Sequence, residues 1–227
     1  MTSNFSQQSI NDTRAQAFAF LLLLIIIFSI GYWSVKELKK ISPSSIDTSM
    51  TDLNGKNIVF VIAFKDFRDE EYFVPKEILE KAGAKIITAS NQTGTALGAD
   101  GGEVEVDLLI SQVYPANFDA VVFIGGSGCL ENLDNENSYK VAQDAVFRGK
   151  VLASICISPT ILAKAGVLKG KRATVWSSLL DKSAVKTLEA NGAIYEDKMV
   201  VVDGKIVTGN GPDASAKFGQ AIVGLLR

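Results

Sequence analysis

Cys156 closes the run VLASIC, in which small and apolar residues of strand length pass directly into ISPT, a segment that reads as a helix start. A strand-to-helix elbow holds its turn residue out over the sheet edge, and the free N–H groups and positive end of the following helix favour a thiolate there. Residue type and position therefore predict a nucleophile, its pKa drawn from about 8.5 toward neutrality. The base that most cysteine nucleophiles use is an imidazole, yet the 227-residue chain contains no histidine. Proton handling then falls to carboxyl groups. Asp69, Glu70 and Glu71, in KDFRDEEYFVP, follow the first apolar strand of the domain. A desolvated carboxyl among them would hold a raised pKa and could give a proton to a substrate oxygen. Each residue also has a plainer reading. A cysteine ending a buried strand serves as a small hydrophobe, and an acidic run at a helix start is a solvated, dipole-favoured cap.

These residues need elements to bring them together. NIVFVIAF, Asn57 to Phe64, is a continuous apolar run of the kind that forms a strand buried on both faces of a parallel sheet. Val74, Ile78, Leu79 and Ala82 then recur at helical spacing, with Pro75 suited to an early helical turn and Gly83 to the C-terminal cap. AKIITAS is a second strand, EVEVDLLI (Glu103 to Ile110) alternates like a half-exposed one, and AVVFIGGSG is an apolar strand broken by glycines. A helix from about Glu136 to Arg148 precedes VLASI, and a helix carrying Ile161, Leu162 and Ala165 comes after the elbow. RATVW is a short strand, a helix lies near Lys182 to Ala190, and Asp203-Gly204 marks a hairpin within MVVVDGKIVT. Ala214 to Leu226 closes as an amphipathic helix. This alternation predicts a three-layer α/β sandwich over a mainly parallel sheet. Ligands gather at the carboxyl ends of such strands, where the acidic trio, Gly125-Gly126 and Cys156 should meet. GGSG alone is too weak to mark a phosphate site, and Cys129 beside it reads as structural.

Composition narrows the function classes. A formal charge of -2 with no basic stripe argues against nucleic acid as a partner. Two cysteines and no histidine cannot build a Cys/His zinc site or a disulfide framework, and no cofactor is expected. Ahead of the domain, Ala17 to Val35 reads AFAFLLLLIIIFSIGYWSV, nineteen residues without a charge, long enough to span a hydrocarbon core of about 30 Å. Lys36, Lys39 and Lys40 come directly after it and only Arg14 precedes it, so the positive-inside rule places the domain beyond it in the cytoplasm. The reading is thus a short polar N-terminus (1–16), a single transmembrane helix (17–35), a polar tether (36–55) and one domain (56–227). A cleaved signal peptide is the alternative, with export of the domain.

The ordered motifs GKNIVFVIAF, DEEYFVPKEILEKAG, NFDAVVFIGGSG, KVLASICISPTILAKAGVLKGKRATVW and VVVDGKIVTGNGP resemble the PfpI superfamily over about Lys56 to Leu226. That superfamily includes intracellular PfpI proteases and the Parkinson-disease-associated deglycase. The resemblance implies a flavodoxin-like, class I glutamine-amidotransferase-like fold, Cys156 as nucleophile, Glu71 as its acidic partner, and the backbone N–H groups of Gly126 and Ile157 as oxyanion donors. It also implies a homo-oligomer. The protease branch has His-Gly-Pro after its cysteine, where Ile157-Ser158-Pro159 stands here, and its triad acid would fall at Leu130; peptidase activity is accordingly disfavoured. The deglycase branch's pocket histidine matches Trp176. The implied activity is a cofactor-free hydrolase or lyase acting on small reactive carbonyls or on glycated amine and thiol adducts of proteins. A redox-sensing or chaperone-like role for an oxidisable Cys156 and a non-catalytic interaction module are the alternatives.

Overall fold

Strand β1 (Asn57–Ile62) shows why a run of apolar residues can be a strand with no polar face. In the computed structural model, which describes residues 52–227, Ile58, Phe60 and Ile62 enter one apolar cluster and Val59 and Val61 the other, so both faces are covered. The apolar run 17–35 and the tether up to residue 51 lie outside the described residues. Among the described residues no helix is long and apolar enough to cross a membrane.

After β1 the chain makes a short strand, β2 (Lys65–Phe67), and enters helix α1 (Asp69–Lys81). Strand β3 (Lys85–Ser90) returns to the main sheet. β4 (Gly94–Gly98) and β5 (Glu103–Val106) pair with each other and, through β4, with β2 in a separate three-stranded sheet. β6 (Leu108–Leu109) edges the main sheet beside β3. β7 (Ala120–Phe123) leads to a short helix α2 (Cys129–Leu133) and to α3 (Glu136–Phe147), whose N-cap Asn135 accepts from the N–H groups of Asn137 and Ser138. Then come β8 (Val151–Ile155), α4 (Pro159–Lys164), β9 (Arg172–Ala173), α5 (Ser183–Ala190) and β10 (Ile194–Tyr195), with β9 and β10 pairing apart from the main sheet. The hairpin β11 (Val200–Asp203) and β12 (Ile206–Gly209) and the helix α6 (Ser215–Leu226) complete the chain.

The main sheet has seven strands in the order β11-β12-β8-β7-β1-β3-β6, parallel except for the edge strand β11. Side chains of α1 and α6 share the cluster on one face, among them Leu79, Phe218 and Ile222; Val141, Ile161 and Leu188 of α3, α4 and α5 belong to the other. This is the expected three-layer sandwich, and β1, β7 and β8 adjoin at its centre, with their carboxyl ends on one side.

Several elements differ in detail from the sequence reading. EVEVDLLI is not one strand: Asp107 breaks it, its carboxylate accepting from Thr88 N at 2.7 Å while its own N–H donates to Thr88 O at 2.9 Å. The hairpin turn is Gly204-Lys205, since Asp203 still pairs with Ile206 and Gly204 alone supplies positive φ. RATVW is a strand only over Arg172–Ala173. Helix α1 begins at Asp69, so the acidic trio forms its first turn and Pro75 stands inside it. Proline has no N–H to give the carbonyl four residues back, which here is that of Glu71.

α1 is pinned to the sheet by Tyr72, whose hydroxyl shares a 2.7 Å hydrogen bond with Thr88 and whose ring meets Phe60 edge-on at 5.6 Å. Tyr72→Phe strands the Thr88 hydroxyl in the interior and should cost about 1–3 kcal/mol. Urea unfolding should show the lower midpoint, and adding Thr88→Val should recover part of the loss; a double variant as unstable as the sum of both changes would show that the bond does not anchor α1.

Candidate active site

Cys156 comes directly after β8 at φ 66°, in the left-handed region, which costs a non-glycine residue of order 1–3 kcal/mol unless its surroundings enforce it. Here they do. Cys156 N donates to Gly209 O at 2.9 Å and Cys156 O accepts from Trp176 N at 2.8 Å. Just beyond, the buried Ser158 hydroxyl lies 2.8 Å from that of Ser154, 2.9 Å from Phe123 O and 3.2 Å from Ile155 N. The elbow is thereby tied to β12, β8 and the end of β7, and the thiol is half-buried at the sheet edge.

Of the three candidate acids only Glu71 reaches it. Glu71 is fully buried, hydrogen-bonded to the Cys156 thiol, and its Oε2 accepts from Gly125 N at 3.2 Å. Asp69 turns the other way, its carboxylate accepting from Asp100 N at 2.8 Å and Gly102 N at 2.6 Å, and Glu70 is exposed. The expected convergence of all three acids is thus corrected to one, because successive side chains in a helical turn point in different directions.

Gly125 explains how close the pair can come. A Cβ there would stand 2.6 Å from Cys156 Cβ and 2.8 Å from Glu71 Oε2, so any side chain would part them. Gly126 has φ 112°, and a Cβ on it would press to 2.5 Å from both Arg68 N and Asp66 O. Glycine at this pair is required by space and by backbone, and no phosphate loop need be invoked. The N–H groups of Gly126 and Ile157 both donate toward the Cys156 sulfur.

The electrostatics differ from the expectation of a thiol near neutrality. Burial, then the Glu71 charge and the hydrogen bond to it, push the Cys156 thiol up to about 12, against the smaller lowering from Gly126 and Ile157 N–H. Burial also lifts the Glu71 carboxyl to about 7, opposed by the hydrogen bonds from Cys156 and Gly125 and by the Arg68 charge. α4 has fewer than two turns and starts three residues beyond the thiol, so desolvation prevails over its dipole. Two acids this close titrate as a unit: below about 7 both hold their protons, and between about 7 and about 12 they hold one proton and one negative charge between them.

The pair opens on a cleft of about 430 Å³. Arg68, Ser127 and Pro212 line it beside Cys156, Gly126 and Ile157, and Leu130 and Trp176 give it apolar walls. Leu130 and Trp176 stand where the resemblance looked for an acid and a histidine, and neither can move a proton. Arg68, Ser127 and Pro212 were not singled out from the sequence; only Arg68 had a readable signal, a cation one helical turn before Glu71. Cys129 is fully buried in the apolar core among β7 and α2 residues, with burial raising its thiol well above the ordinary range. Both cysteines are free.

A mainly parallel sandwich with a cysteine at a strand-to-helix elbow, facing a buried carboxyl from the opening helix, defines an elbow-thiol α/β protein. Within that class the chain belongs to the DJ-1/PfpI family, whose sequence profile matches residues 56–225. It is 38% identical over 173 residues to an uncharacterized protein of Methanocaldococcus jannaschii, covering 76% of this chain and 83% of the relative. A deglycase of Pyrococcus abyssi is 33% identical over 169 residues, covering 74% of this chain and 99% of the relative. The crystal structure of a ThiJ/PfpI domain protein from Brachyspira murdochii superposes with a TM-score of 0.71 at 38% identity, covering 76% of this chain and 98% of that one.

Glu71 binds its proton more tightly in the folded chain, at about 7 against an ordinary 4.5. Its ionisation therefore opposes folding: the penalty is absent below the unfolded value and complete once the pH has passed the folded one. Glu71→Gln, which keeps an acceptor for Gly125 N–H, should gain stability over the natural protein between pH 5 and pH 8 by on the order of 3 kcal/mol. Urea unfolding at the two pH values measures this, and a gap that does not grow with pH would refute the raised value.

Proposed function

We propose that the domain is a cofactor-free, deglycase-like enzyme in which Cys156 adds to small reactive carbonyls or to the carbonyl-derived adducts of amines and thiols. The observation that carries this reading is the buried Glu71–Cys156 pair, with Gly126 and Ile157 N–H at the sulfur, on the floor of an open cleft. The deglycase named among its relatives, from Pyrococcus abyssi, supports it.

The chemistry stems from the single proton the pair holds. As the sulfur approaches a carbonyl carbon, the S–C bond forms and the carbonyl π pair moves to oxygen. The thiol proton passes through the Glu71 carboxyl to that oxygen, giving a hemithioacetal with no net change in charge. Gly126 and Ile157 N–H, which face the sulfur, are placed to stabilise negative charge developing beside it. With a 2-oxoaldehyde such as methylglyoxal, transfer of the hemithioacetal hydrogen to the neighbouring carbonyl carbon oxidises one carbon and reduces the other. The product is a thioester, which water cleaves to a 2-hydroxy acid and free Cys156. Glu71, with a pKa of about 7, suits both removal and return of that proton.

A second reading has one observation in its favour. Glu71 Oε1 is buried with no hydrogen-bond partner among the described residues, and a sulfinate oxygen on Cys156 would give a protonated Glu71 an acceptor. A sensor of that kind reacts once per thiol, whereas an enzyme consumes excess substrate.

Cys156→Ser should abolish methylglyoxal consumption, and turnover retained by this variant would sink the covalent mechanism. Glu71→Gln should separate the two roles of the carboxyl. With the charge gone, alkylation of Cys156 by iodoacetamide at pH 8 should accelerate at least tenfold. Turnover should nevertheless fall by about 10²–10⁴-fold. A fall in both rates would mean that Glu71 generates the thiolate rather than managing the substrate proton.

A further inference from the structure

Arg68 is the one charged side chain among the residues lining the cleft. Its backbone is fixed to the catalytic floor, with Arg68 N donating to Gly125 O at 3.1 Å, and Gly125 is the residue that packs between Cys156 and Glu71. Its guanidinium is 40% exposed and engaged through Nη1 alone, 3.1 and 3.5 Å from the two carboxylate oxygens of Asp100. Among the described residues Nε and Nη2 have no protein acceptor. The hydrogen bond to Asp100 chiefly favours the Arg68 cation, with smaller contributions from the Glu71 and Cys156 charges. A neutral carbonyl in the cleft could accept a single hydrogen bond from this group, whereas a carboxylate would gain opposite charge and a bidentate pair from a planar fork.

We propose that Arg68 is a specificity-determining residue that receives the carboxylate of a small 2-oxo acid, of which glyoxylate is the smallest, and so sets its carbonyl over Cys156. The inference rests on the reading of Cys156 as a nucleophile. The carboxylate stays intact through the step: S–C forms, the carbonyl π pair moves to oxygen, and the thiol proton reaches that oxygen through Glu71, with no oxidant or reductant. Trp176 and Leu130 close the apolar side of the cleft, leaving Arg68 as the cationic contact for an anionic ligand. Asp100 holds the guanidinium in place, and Asp69 holds Asp100 in turn through its N–H.

A purely structural role, an exposed ion pair joining α1 to the Asp100 loop, makes a different prediction, and an isosteric pair of reagents separates the two. Second-order rates of Cys156 alkylation are measured with iodoacetate, which carries a carboxylate, and with neutral iodoacetamide, the labelled residue being located by mass spectrometry. Any change in thiol ionisation affects both reagents alike and cancels in their ratio. Arg68→Met should lower the iodoacetate-to-iodoacetamide ratio about tenfold, with Arg68→Lys restoring part of it. Glyoxylate should protect Cys156 from iodoacetamide in the natural protein and lose that protection in Arg68→Met, a larger loss than that of protection by neutral methylglyoxal. An unaltered ratio in all three proteins, with iodoacetamide still reacting, overturns the role of Arg68 and leaves the nucleophile intact. A Cys156 inert to both reagents overturns the nucleophile itself, and the role of Arg68 falls with it.

Discussion

Two acidic groups buried side by side, with room for one negative charge between them, are the constraint around which the domain is arranged. Ionising either costs desolvation energy, and ionising both would add like-charge repulsion in a poorly solvated setting. Each neighbour of the pair answers to that cost. Gly125 supplies an N–H to Glu71 and has no side chain to separate the acids; Gly126 and Ile157 offer N–H groups to sulfur; Arg68 contributes a cation at the rim. The pair itself spans distant parts of the sequence. Its members meet because β1, β7 and β8 are neighbours in a parallel sheet, which brings the segments beyond their carboxyl ends to a common edge.

The large features of this arrangement can be read from residues alone because they are repetitive. Uninterrupted apolar runs such as NIVFVI and VLASI have only one comfortable place, inside a sheet covered on both faces, and the elbow after VLASI puts a cysteine at its rim. The features that could not be read depend on single contacts. Asp107 diverts a strand because its side chain finds Thr88 N across the sheet edge. KDF and GTALG are too short and too mixed to show a period, yet they pair as β2 and β4 beside the site. Pro75 suggested the start of a helix, whereas α1 begins at Asp69, where buried Tyr72 and Glu71 fasten it. The thiol's electrostatics reversed for a related reason: an elbow and a helix start are visible in a sequence, but the depth of burial that prevails over them is not.

The lack of histidine takes on a defined physical meaning in this setting. Imidazole would bring a second titrating group near neutrality and would carry positive charge toward a thiolate. Trp176 and Leu130 instead make the walls of the cleft apolar, so no other side chain lining it competes near neutrality for the proton shared by sulfur and carboxylate. That favours chemistry in which a proton leaves and returns to the same substrate. It disfavours peptide cleavage, in which the acyl group passes to sulfur and the departing amine must take a proton from an acid that is recharged from solvent.

Cys156 sits in the left-handed region although glycine or asparagine would sit there with less strain. A position where glycine would relax the backbone is therefore held by the residue that the proposed chemistry needs, and selection for robustness acting there alone would erase the thiol. Gains in thermal tolerance must come from elsewhere in the fold, such as the α1–α6 layer or the far edge of the sheet, where side chains can change without touching the elbow. A lineage without the proposed reaction should lose this cysteine early, because relaxing the turn is then an unopposed advantage.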